Sequence, residues 1–394
     1  MLLPLTNAPR PYAWGSTTLL AQLQGREPTG QPEAELWFGA HPGAPSIVGD
    51  GTGRTLDRWL AEEGREGTDA DIPLPYLLKL LAIAHPLSIQ AHPSKAQAEA
   101  GFAREEAAGV PRDAPERSYR DDNHKPELIV ALSDGFRALV GLRDAAATDR
   151  LLAALGDAPG VREVRDRLRE GDAAPGALPR SLVPWLLSAD AADAVADVRR
   201  ALPDARSDEF AGELALARRL LGEVPGDPGI VVALLMNHVV LARGEGLFVP
   251  AGTLHAYVEG LGVEVMAASD NVLRGGFTGK HVDVAELGAV LDPATGPVEL
   301  VRPVPRAGAT GDIADYPVPV ADFALVRVRA ADGAPAELNP RGTAIALATE
   351  GAASVRQDGH AQSLRPGEAV LVTAGGAPLT FAGAGEIFIA QPGG

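Results

Sequence analysis

The 394-residue sequence contains no cysteine. This absence excludes disulfide bonds, metal sites built from thiolates and catalysis by a cysteine nucleophile. A metal ion would have to be held by histidine, aspartate, glutamate or an amide oxygen, and the sequence has only eight histidines. The search for a metal site therefore reduces to the surroundings of these eight residues.

Long apolar runs and an excess of positive charge are also missing. No apolar run is long enough to span a bilayer, and residues 1–7 lack the charged flank and apolar core of a signal peptide. The formal net charge of -17 argues against nucleic acid or an anionic membrane as a partner. With 46% hydrophobic residues the chain is typical of a globular protein, for which we expect a cytoplasmic location.

Lysine is scarce. Only four of the 35 basic residues are lysines, namely Lys79, Lys95, Lys125 and Lys280. Where arginine serves almost everywhere else, a retained lysine suggests a position that needs a compact ammonium group on a flexible chain. A phosphorylated ligand would need local positive charge of this kind in an otherwise acidic protein.

The patterning predicts a mainly β protein with a helical insertion. Short β-type runs such as 88–92 and 127–132 extend from residue 36 to about 140 and resume at 246–249. Helices are predicted over 94–108, in several pieces over 144–221, and in the apolar run 230–241. Alternating runs return over 323–391. We expect a β-rich unit formed by residues 1–143 and 225–320, a helical insertion over 144–224, and a smaller β-barrel or sandwich over 321–394.

Two strand segments carry candidate metal ligands. In an extended strand alternate side chains share a face, so Ser88, Gln90 and His92 point the same way. The same alternation places Lys125 and Glu127 on one face of the next segment. The first face offers a hydroxyl, an amide oxygen and an imidazole, and the second adds a carboxylate.

A third segment, residues 250–255, has the spacing Pro-x-Gly-x-x-His, with His255 at the head of a β-run. This spacing is typical of the second half of the cupin metal motif, and the earlier Gln-x-His and Glu resemble its first half. A single histidine in a strand is more often a core or surface residue than a ligand. Together, an amide, two imidazoles and a carboxylate suit zinc, with other divalent metals also open. Four histidines lack such neighbours, and we assign them to structure or surface: His41, His85, His238 and His360.

A fourth segment contains a glycine-rich loop with Asp270, Arg274 and Lys280. An isolated charge cluster of this kind is more often a solvated turn. The close backbone approach that Gly275 and Gly276 permit, beside a guanidinium group, also suits an oxyanion or a phosphate. Both interpretations stay open at this point.

These segments, in this order, resemble type I phosphomannose isomerases. The matching segments are 12–16, 35–37 with 41–42, 76–79, 87–93, 123–127, 249–257, 269–274 and 280–283. They cover the chain to about residue 287, while the helical insertion and the C-terminal region match only in type. The resemblance implies a cupin-type β-barrel or jelly-roll catalytic domain, a helical domain and a second, smaller cupin-like barrel. Phe38 departs from the usual Met, and Gly275, Phe277 and Gly279 depart from the usual Ala, Leu and Pro.

The resemblance also implies roles for individual residues. Carried over by position, the ligands of one zinc ion per chain are Gln90, His92, Glu127 and His255. The catalytic arginine falls on Arg274, and residues that contact substrate or phosphate fall on Lys79, Ser88, Lys125, Glu264 and Lys280. Three of the four lysines thus fall in the implied site, which agrees with the argument from lysine scarcity.

The implied reaction is a zinc-dependent aldose–ketose isomerisation of mannose 6-phosphate and fructose 6-phosphate, in which a proton moves between C1 and C2 through an enediol. Zinc would polarise the carbonyl and stabilise the enediolate. The base stays open among His124, Lys125, Asp270 and Arg274, and Lys125 would serve if burial beside zinc lowered its pKa. We expect a monomer that acts on a small phosphorylated sugar, in GDP-mannose biosynthesis or mannose catabolism.

Two other classes of protein stay open. A cupin-type iron oxygenase usually holds its metal with two histidines and one carboxylate, and a glutamine ligand suits oxygen activation poorly. A non-catalytic sugar-binding cupin would keep the fold and lose the base, which the joint presence of four ligands, Arg274 and three site lysines argues against. Iron dependence with oxygen consumption would support the first, and sugar phosphate binding without turnover the second.

Overall fold

The computed structural model describes residues 1–63, 74–170 and 174–394. Within these residues the strands form two antiparallel sheets, one of nine strands and one of ten. In chain order the strands are β1 (Leu2–Thr6), β2 (Glu35–Phe38), β3 (Ile47–Val48), β4 (Tyr76–Ile83), β5 (Ile89–Ala91), β6 (Glu127–Ala131), β7 (Phe136–Leu142), β8 (Met236–Leu241), β9 (Gly246–Val249), β10 (His255–Ala267), β11 (Leu273–Gly276), β12 (Val304–Pro305), β13 (Asp312–Tyr316), β14 (Ala324–Ala330), β15 (Ala336–Leu338), β16 (Ala344–Gln357), β17 (His360–Leu364), β18 (Ala369–Val372) and β19 (Leu379–Gln391).

The helices of the described residues lie mostly between β7 and β8. They are α1 (Leu19–Leu23), α2 (Leu56–Glu63), α3 (Lys95–Ala107), α4 (Ala145–Ala153), α5 (Pro159–Arg169), α6 (Leu182–Leu187), α7 (Ala192–Ala201), α8 (Ala211–Glu223), α9 (Gly229–Leu234) and α10 (Val284–Val290). Helix α3 confirms the helix predicted at 94–108, and it begins with a capping box, in which Ser94 and Gln97 each accept a hydrogen bond from the backbone N–H of the other. None of the described helices is long and apolar enough to cross a membrane.

The nine-stranded sheet is organised around β10, which pairs with β4, β5, β6 and β7. Its neighbour β4 is buried along its whole length. Leu78 and Leu80 pack in the core shared with the ten-stranded sheet, whereas Leu81 and Ile83 pack inside their own sheet. A strand buried on both faces is expected to be an almost continuous apolar run, and Lys79 is the exception in this one.

The ten-stranded sheet combines the two ends of the chain. Its strand order is β12-β13-β14-β19-β16-β18-β1-β3, with β15 and β17 attached to β19 and β16. Leu3 of β1 lies opposite Leu371 of β18. The predicted fold class, mainly β with a helical segment, is confirmed. Closure of either sheet into a barrel and the three domain boundaries stay predictions.

The prediction of one buried helix over 230–241 is wrong. The run divides into helix α9 and strand β8, which pairs with β7 so that Asn237 lies opposite Val140. The amide of Asn237 also donates to the backbone carbonyl of Gly296 at 3.1 Å. A short apolar run does not distinguish a buried helix from a buried strand, and here pairing with a distant strand decides the conformation.

A buried hydroxyl group helps to connect the two sheets. Tyr76, on β4, is 1% exposed, and its hydroxyl lies 3.0 Å from the backbone carbonyl oxygens of both Thr343 and Ala390. Ala390 belongs to β19 of the other sheet. The side chain therefore joins the sheets by a buried polar contact as well as by apolar packing.

We expect Tyr76→Phe to lower the free energy of unfolding by about 1–2 kcal/mol, because the ring is kept while the buried hydrogen bond is lost. Denaturant titration followed by circular dichroism measures this change. Metal content and ligand binding should be unchanged, since Tyr76 does not line the cavity described below. An unfolding midpoint equal to that of the wild type would show that the hydroxyl does not stabilise the contact between the sheets.

Candidate metal centre and cavity

Strand register brings the candidate residues together. Gln90 on β5 lies opposite His255 of β10 on one side and opposite Arg274 of β11 on the other. Further along β10, Glu264 lies opposite Lys79 of β4. Residues that are up to 185 positions apart in the chain thus become neighbours through backbone pairing alone.

Two histidines and one glutamate form a buried cluster. Nε2 of His92 lies 3.2 Å from Oε1 of Glu127, and Nε2 of His255 lies 3.4 Å from Oε2 of the same carboxylate. All three side chains are at most 2% exposed. Their ligand atoms lie within 4.8 Å of one another, which is close enough for a single metal ion to bind all three.

The backbone fixes the tautomers of both imidazoles. Nδ1 of His92 lies 2.7 Å from the carbonyl oxygen of Asn271, and Nδ1 of His255 lies 3.0 Å from that of Thr253. Because a carbonyl oxygen only accepts hydrogen bonds, Nδ1 carries the proton in each ring and a neutral ring has a bare Nε2. Both lone pairs therefore face the acceptor oxygens of Glu127, an arrangement that favours a cation between them.

One of these nitrogens lacks any hydrogen bond. Nε2 of His92 is buried and has no hydrogen-bond partner among the described residues. Such orphaned buried polar atoms are rare in folded proteins and need an explanation. A coordinated metal ion supplies one, because it is the partner that a bare imidazole nitrogen and a carboxylate can share.

Gln90 completes the donor set. Its amide group lies 3.2 Å from Nε2 of His255. The two ends of a glutamine amide are assigned from the hydrogen-bond network, so a flip of the amide turns its oxygen toward the same point. Two imidazole nitrogens, one carboxylate and one amide oxygen suit zinc.

The protonation states also suit a metal. Burial lowers the pKa of His92 to about 4, so that its imidazole is neutral at neutral pH. Burial alone would raise the pKa of Glu127, but the Lys125 ammonium and the two imidazoles outweigh it and hold that pKa well below its usual range. Metal ligands must be deprotonated in this way before they can coordinate.

A cavity of about 340 Å³ opens beside this cluster. Its lining residues include nine of the twelve candidate site residues: Lys79, Ser88, Gln90, Lys125, Glu127, Glu264, Asp270, Arg274 and Lys280. His92 and His255 lie behind the wall, fully buried. The sequence patterns therefore bring almost the whole candidate set to one place.

His124 is the exception among the candidates. It does not line the cavity, and its Nε2 lies 3.0 Å from both carboxylate oxygens of Asp322 in the loop before β14. His124 precedes β6, which begins at Glu127, and its contact with Asp322 holds its side chain outside the cavity lining.

The cavity lining also includes residues that were not identified as site residues from the sequence, among them Glu35, Trp37, His41 and Tyr257. The assignment of His41 to structure or surface is wrong, because its ring lines the cavity and its Nε2 lies 3.2 Å from Oδ1 of Asp270. The available signal was its position in a matching segment, His41-Pro42, directly after a predicted strand. Glu35 and Tyr257 also lie in matching segments, 35–37 and 249–257, and strand pairing brings them to the cavity.

Lys79 is surrounded by carboxylates. Its Nζ lies 3.4 Å from Glu264, 3.8 Å from Glu35 and 4.8 Å from the ring centre of Trp37. Burial alone would lower the pKa of Lys79, but the neighbouring carboxylates outweigh it and raise that pKa. Burial also raises the pKa of Glu264 to about 7, with Glu127 adding to the effect. Lys79 therefore balances acidic charge deep in the cavity.

Cations without carboxylate partners lie near one another elsewhere on the rim. Burial lowers the pKa of Arg274, and Arg120 lowers it further. Burial, Arg274 and Arg120 lower the pKa of Lys280 in the same way. None of the three forms an ion pair with any residue that the structure describes. Such a group of like charges is suited to an anion such as a phosphate.

The fold and the site define a metal-binding protein of mainly β structure, with a cation-bearing cavity beside the candidate metal ligands. Comparison with known proteins agrees with this class. The family described as phosphomannose isomerase type I, catalytic domain, matches residues 2–145. The mannose-6-phosphate isomerase of Escherichia coli (strain K12) is 38% identical over 395 residues, which cover 97% of each chain. The chain belongs to the type I phosphomannose isomerase family.

Solved structures extend the similarity over the full chain. The crystal structure of mannose 6-phosphate isomerase from Salmonella typhimurium bound to substrate (fructose 6-phosphate) and zinc has a TM-score of 0.87 and 34% identity. It covers 100% of this chain and 99% of its own. A mannose 6-phosphate isomerase bound with zinc and yttrium has a TM-score of 0.86 at 34% identity, with the same coverage.

We expect His92→Gln to lose zinc that the wild type retains after dialysis against metal-free buffer, because the bare Nε2 that faces Glu127 is removed. His124→Gln is the matched control, since it changes a histidine of a neighbouring segment that bonds Asp322 outside the cavity. Elemental analysis of the dialysed proteins measures the difference. Equal zinc in wild type and His92→Gln would place the metal elsewhere.

Proposed function

We propose that this protein is a zinc-dependent aldose–ketose isomerase that interconverts mannose 6-phosphate and fructose 6-phosphate. The observation that carries the proposal is the convergence of two bare imidazole nitrogens on the Glu127 carboxylate at the wall of a cation-bearing cavity. The relative with zinc and fructose 6-phosphate bound supports both the metal and the substrate class. We further propose that it acts in the cytoplasm as a monomer.

The proposed zinc ligands are Gln90, His92, Glu127 and His255, with one ion per chain. When bound, zinc would act as a Lewis acid that polarises the sugar carbonyl and stabilises the negative charge developing on its oxygen. Burial of the imidazoles at 0% exposure keeps bulk water away from this wall of the cavity.

The isomerisation moves a proton between C1 and C2 of the opened sugar, through an enediol. Of the four residues considered as the base, Lys125, Asp270 and Arg274 line the cavity. Nζ of Lys125 lies 3.2 Å from Oε1 of Glu127, beside the proposed metal ligands. We assign the proton transfer to this nitrogen, acting as the neutral amine after its ammonium group has lost a proton, because a general base needs a free lone pair within reach of the carbon next to the polarised carbonyl.

The phosphate group binds at the other cations. Arg274 and Lys280 have no carboxylate partner within the described parts of the chain, and Ser88 adds a hydroxyl on the same cavity. We assign the phosphate to these three residues. Lys79 takes a different role from the one implied by the resemblance alone, because Glu35 and Glu264 already balance its charge and leave it to orient groups deep in the cavity.

A coupled assay on mannose 6-phosphate tests the reaction and the metal together. We expect turnover that is lost after treatment with a chelator and restored by added zinc, because the proposed ligands hold the cation that polarises the sugar carbonyl. Absence of turnover in zinc-loaded protein that still binds the sugar phosphate would overturn the isomerase and favour a sugar-phosphate-binding protein. Oxygen consumption with iron would favour an oxygenase.

We expect Lys280→Ala to raise the KM for mannose 6-phosphate about tenfold to a hundredfold, the effect of losing one hydrogen bond to a charged group. Lys95→Ala is the matched control. Lys95 is exposed on α3, where its Nζ lies 3.8 Å from Glu99, and it does not line the cavity. Initial-rate kinetics on both variants measure the change. An unchanged KM in Lys280→Ala would remove this lysine from the phosphate site.

A further inference from the structure

A histidine and an aspartate form a pair on the cavity wall apart from the metal cluster. His41 lies in the turn that follows β2, and Asp270 lies in the loop between β10 and β11. Nε2 of His41 lies 3.2 Å from Oδ1 of Asp270. Both residues line the cavity, so the pair is placed to contact a ligand there.

The backbone fixes the tautomer of this histidine too, in the opposite sense to His92. The N–H of Gly43 donates to Nδ1 of His41 at 3.1 Å. Because Nδ1 must accept, the ring proton lies on Nε2 and is donated to Asp270. The metal-cluster histidines present a bare Nε2, whereas His41 presents an N–H.

Packing holds the imidazole in this orientation. Its ring meets Trp37 edge-on, with 5.1 Å between the ring centres and an interplanar angle of 90°. A Cβ atom on Gly43 would lie only 3.2 Å from Nδ1 of His41, so glycine is what allows the turn to approach the ring. The His41 side chain is 9% exposed, whereas that of Asp270 is 50% exposed. The donor is thus buried behind a carboxylate that faces the cavity.

The other contacts of Asp270 leave its second carboxylate oxygen available. Its backbone N–H donates to Asp121 at 2.7 Å, which fixes the main chain. Oδ2 of Asp270 has no hydrogen-bond partner among the described residues. Burial alone would raise the pKa of Asp270, but the hydrogen bond from His41 and the positive charges of Lys125 and Lys79 outweigh it and lower that pKa. The carboxylate is therefore ionised and able to accept a hydrogen bond.

We propose that His41 is a positioning residue that holds the carboxylate of Asp270 as the acceptor for a hydroxyl group of the sugar. This inference rests on the proposed function. A carboxylate with one oxygen fixed by a buried donor presents its other oxygen in a defined direction, which is how a polar cavity selects a hydroxyl at one position of a sugar. Asp270 contacts the substrate, and His41 acts only through it.

The test compares two substitutions of His41, one that keeps the aromatic ring and one that keeps a hydrogen-bond donor. His41→Phe keeps an aromatic ring against Trp37 but removes the donor. His41→Gln removes the ring but can place an amide N–H where Nε2–H was. We expect His41→Phe to lower kcat/KM for mannose 6-phosphate about tenfold or more, the size of one charge-assisted hydrogen bond. His41→Gln should recover most of that loss.

A double-mutant cycle with Asp270→Asn separates this role from a packing role. If His41 acts only through Asp270, then His41→Phe should have little further effect in the Asp270→Asn background. Thermal midpoints and zinc content near wild-type values in all variants verify the fold. The inference is overturned if His41→Phe leaves kcat/KM unchanged, if His41→Gln is as impaired as His41→Phe, or if the two substitutions are additive. Absence of turnover in the wild type would instead overturn the proposed function.

Discussion

The site depends on the carboxylate of Glu127, which is ionised although its residue is only 2% exposed. Removing a carboxylate from water is costly unless cations or hydrogen bonds compensate it. Lys125 supplies one positive charge at 3.2 Å from Glu127. The two imidazoles that face the same carboxylate do so with lone pairs, because backbone carbonyls hold their protons at the far nitrogen. Hydrogen-bond acceptors on the two imidazoles thus face acceptor oxygens on Glu127, and a metal ion between them stabilises this arrangement.

This constraint explains why the site lies on the longest strand of its sheet. A metal cluster built from rigid, doubly buried strands keeps its ligands in place even where loops could move. Strand β10 pairs with four others and carries His255 at one end and Glu264 further along. Backbone carbonyls of neighbouring turns then orient the imidazoles, a supporting shell of the kind that metal-binding histidines generally require. The sheet and its adjoining turns therefore supply both the proposed ligands and the carbonyl groups that orient them.

The sequence allowed much of this to be predicted, and the failures have physical causes. Alternation within short strands predicted that Ser88, Gln90 and His92 share a face, and the strand bounds of β5, β6 and β9 agree with the predicted runs. The features that were not predicted depend on pairing between strands that lie far apart in the sequence. The 230–241 run became half a strand because β7 was available to pair with it. Likewise Glu35 reaches the cavity only because β2 pairs with β4, and no local spacing records such a neighbour.

Cations with carboxylate partners and cations without them lie in different parts of the cavity. Beside the proposed metal ligands, the positive charges of Lys79 and Lys125 are balanced by ion pairs with Glu35, Glu264 and Glu127. Toward the glycine-rich loop, the charges of Arg274 and Lys280 have no such partners within the described residues. A ligand with a dianionic phosphate at one end and hydroxyl groups at the other gains most when the phosphate meets the unmatched cations. Under the proposed function, its neutral, reacting end would then lie toward the proposed metal site, between the carboxylate of Asp270 and the proposed ligands Gln90 and His255. The proposed orientation of the substrate thus follows from which cations the fold leaves uncompensated, and of these the scarcity of lysine singled out Lys280 in the sequence.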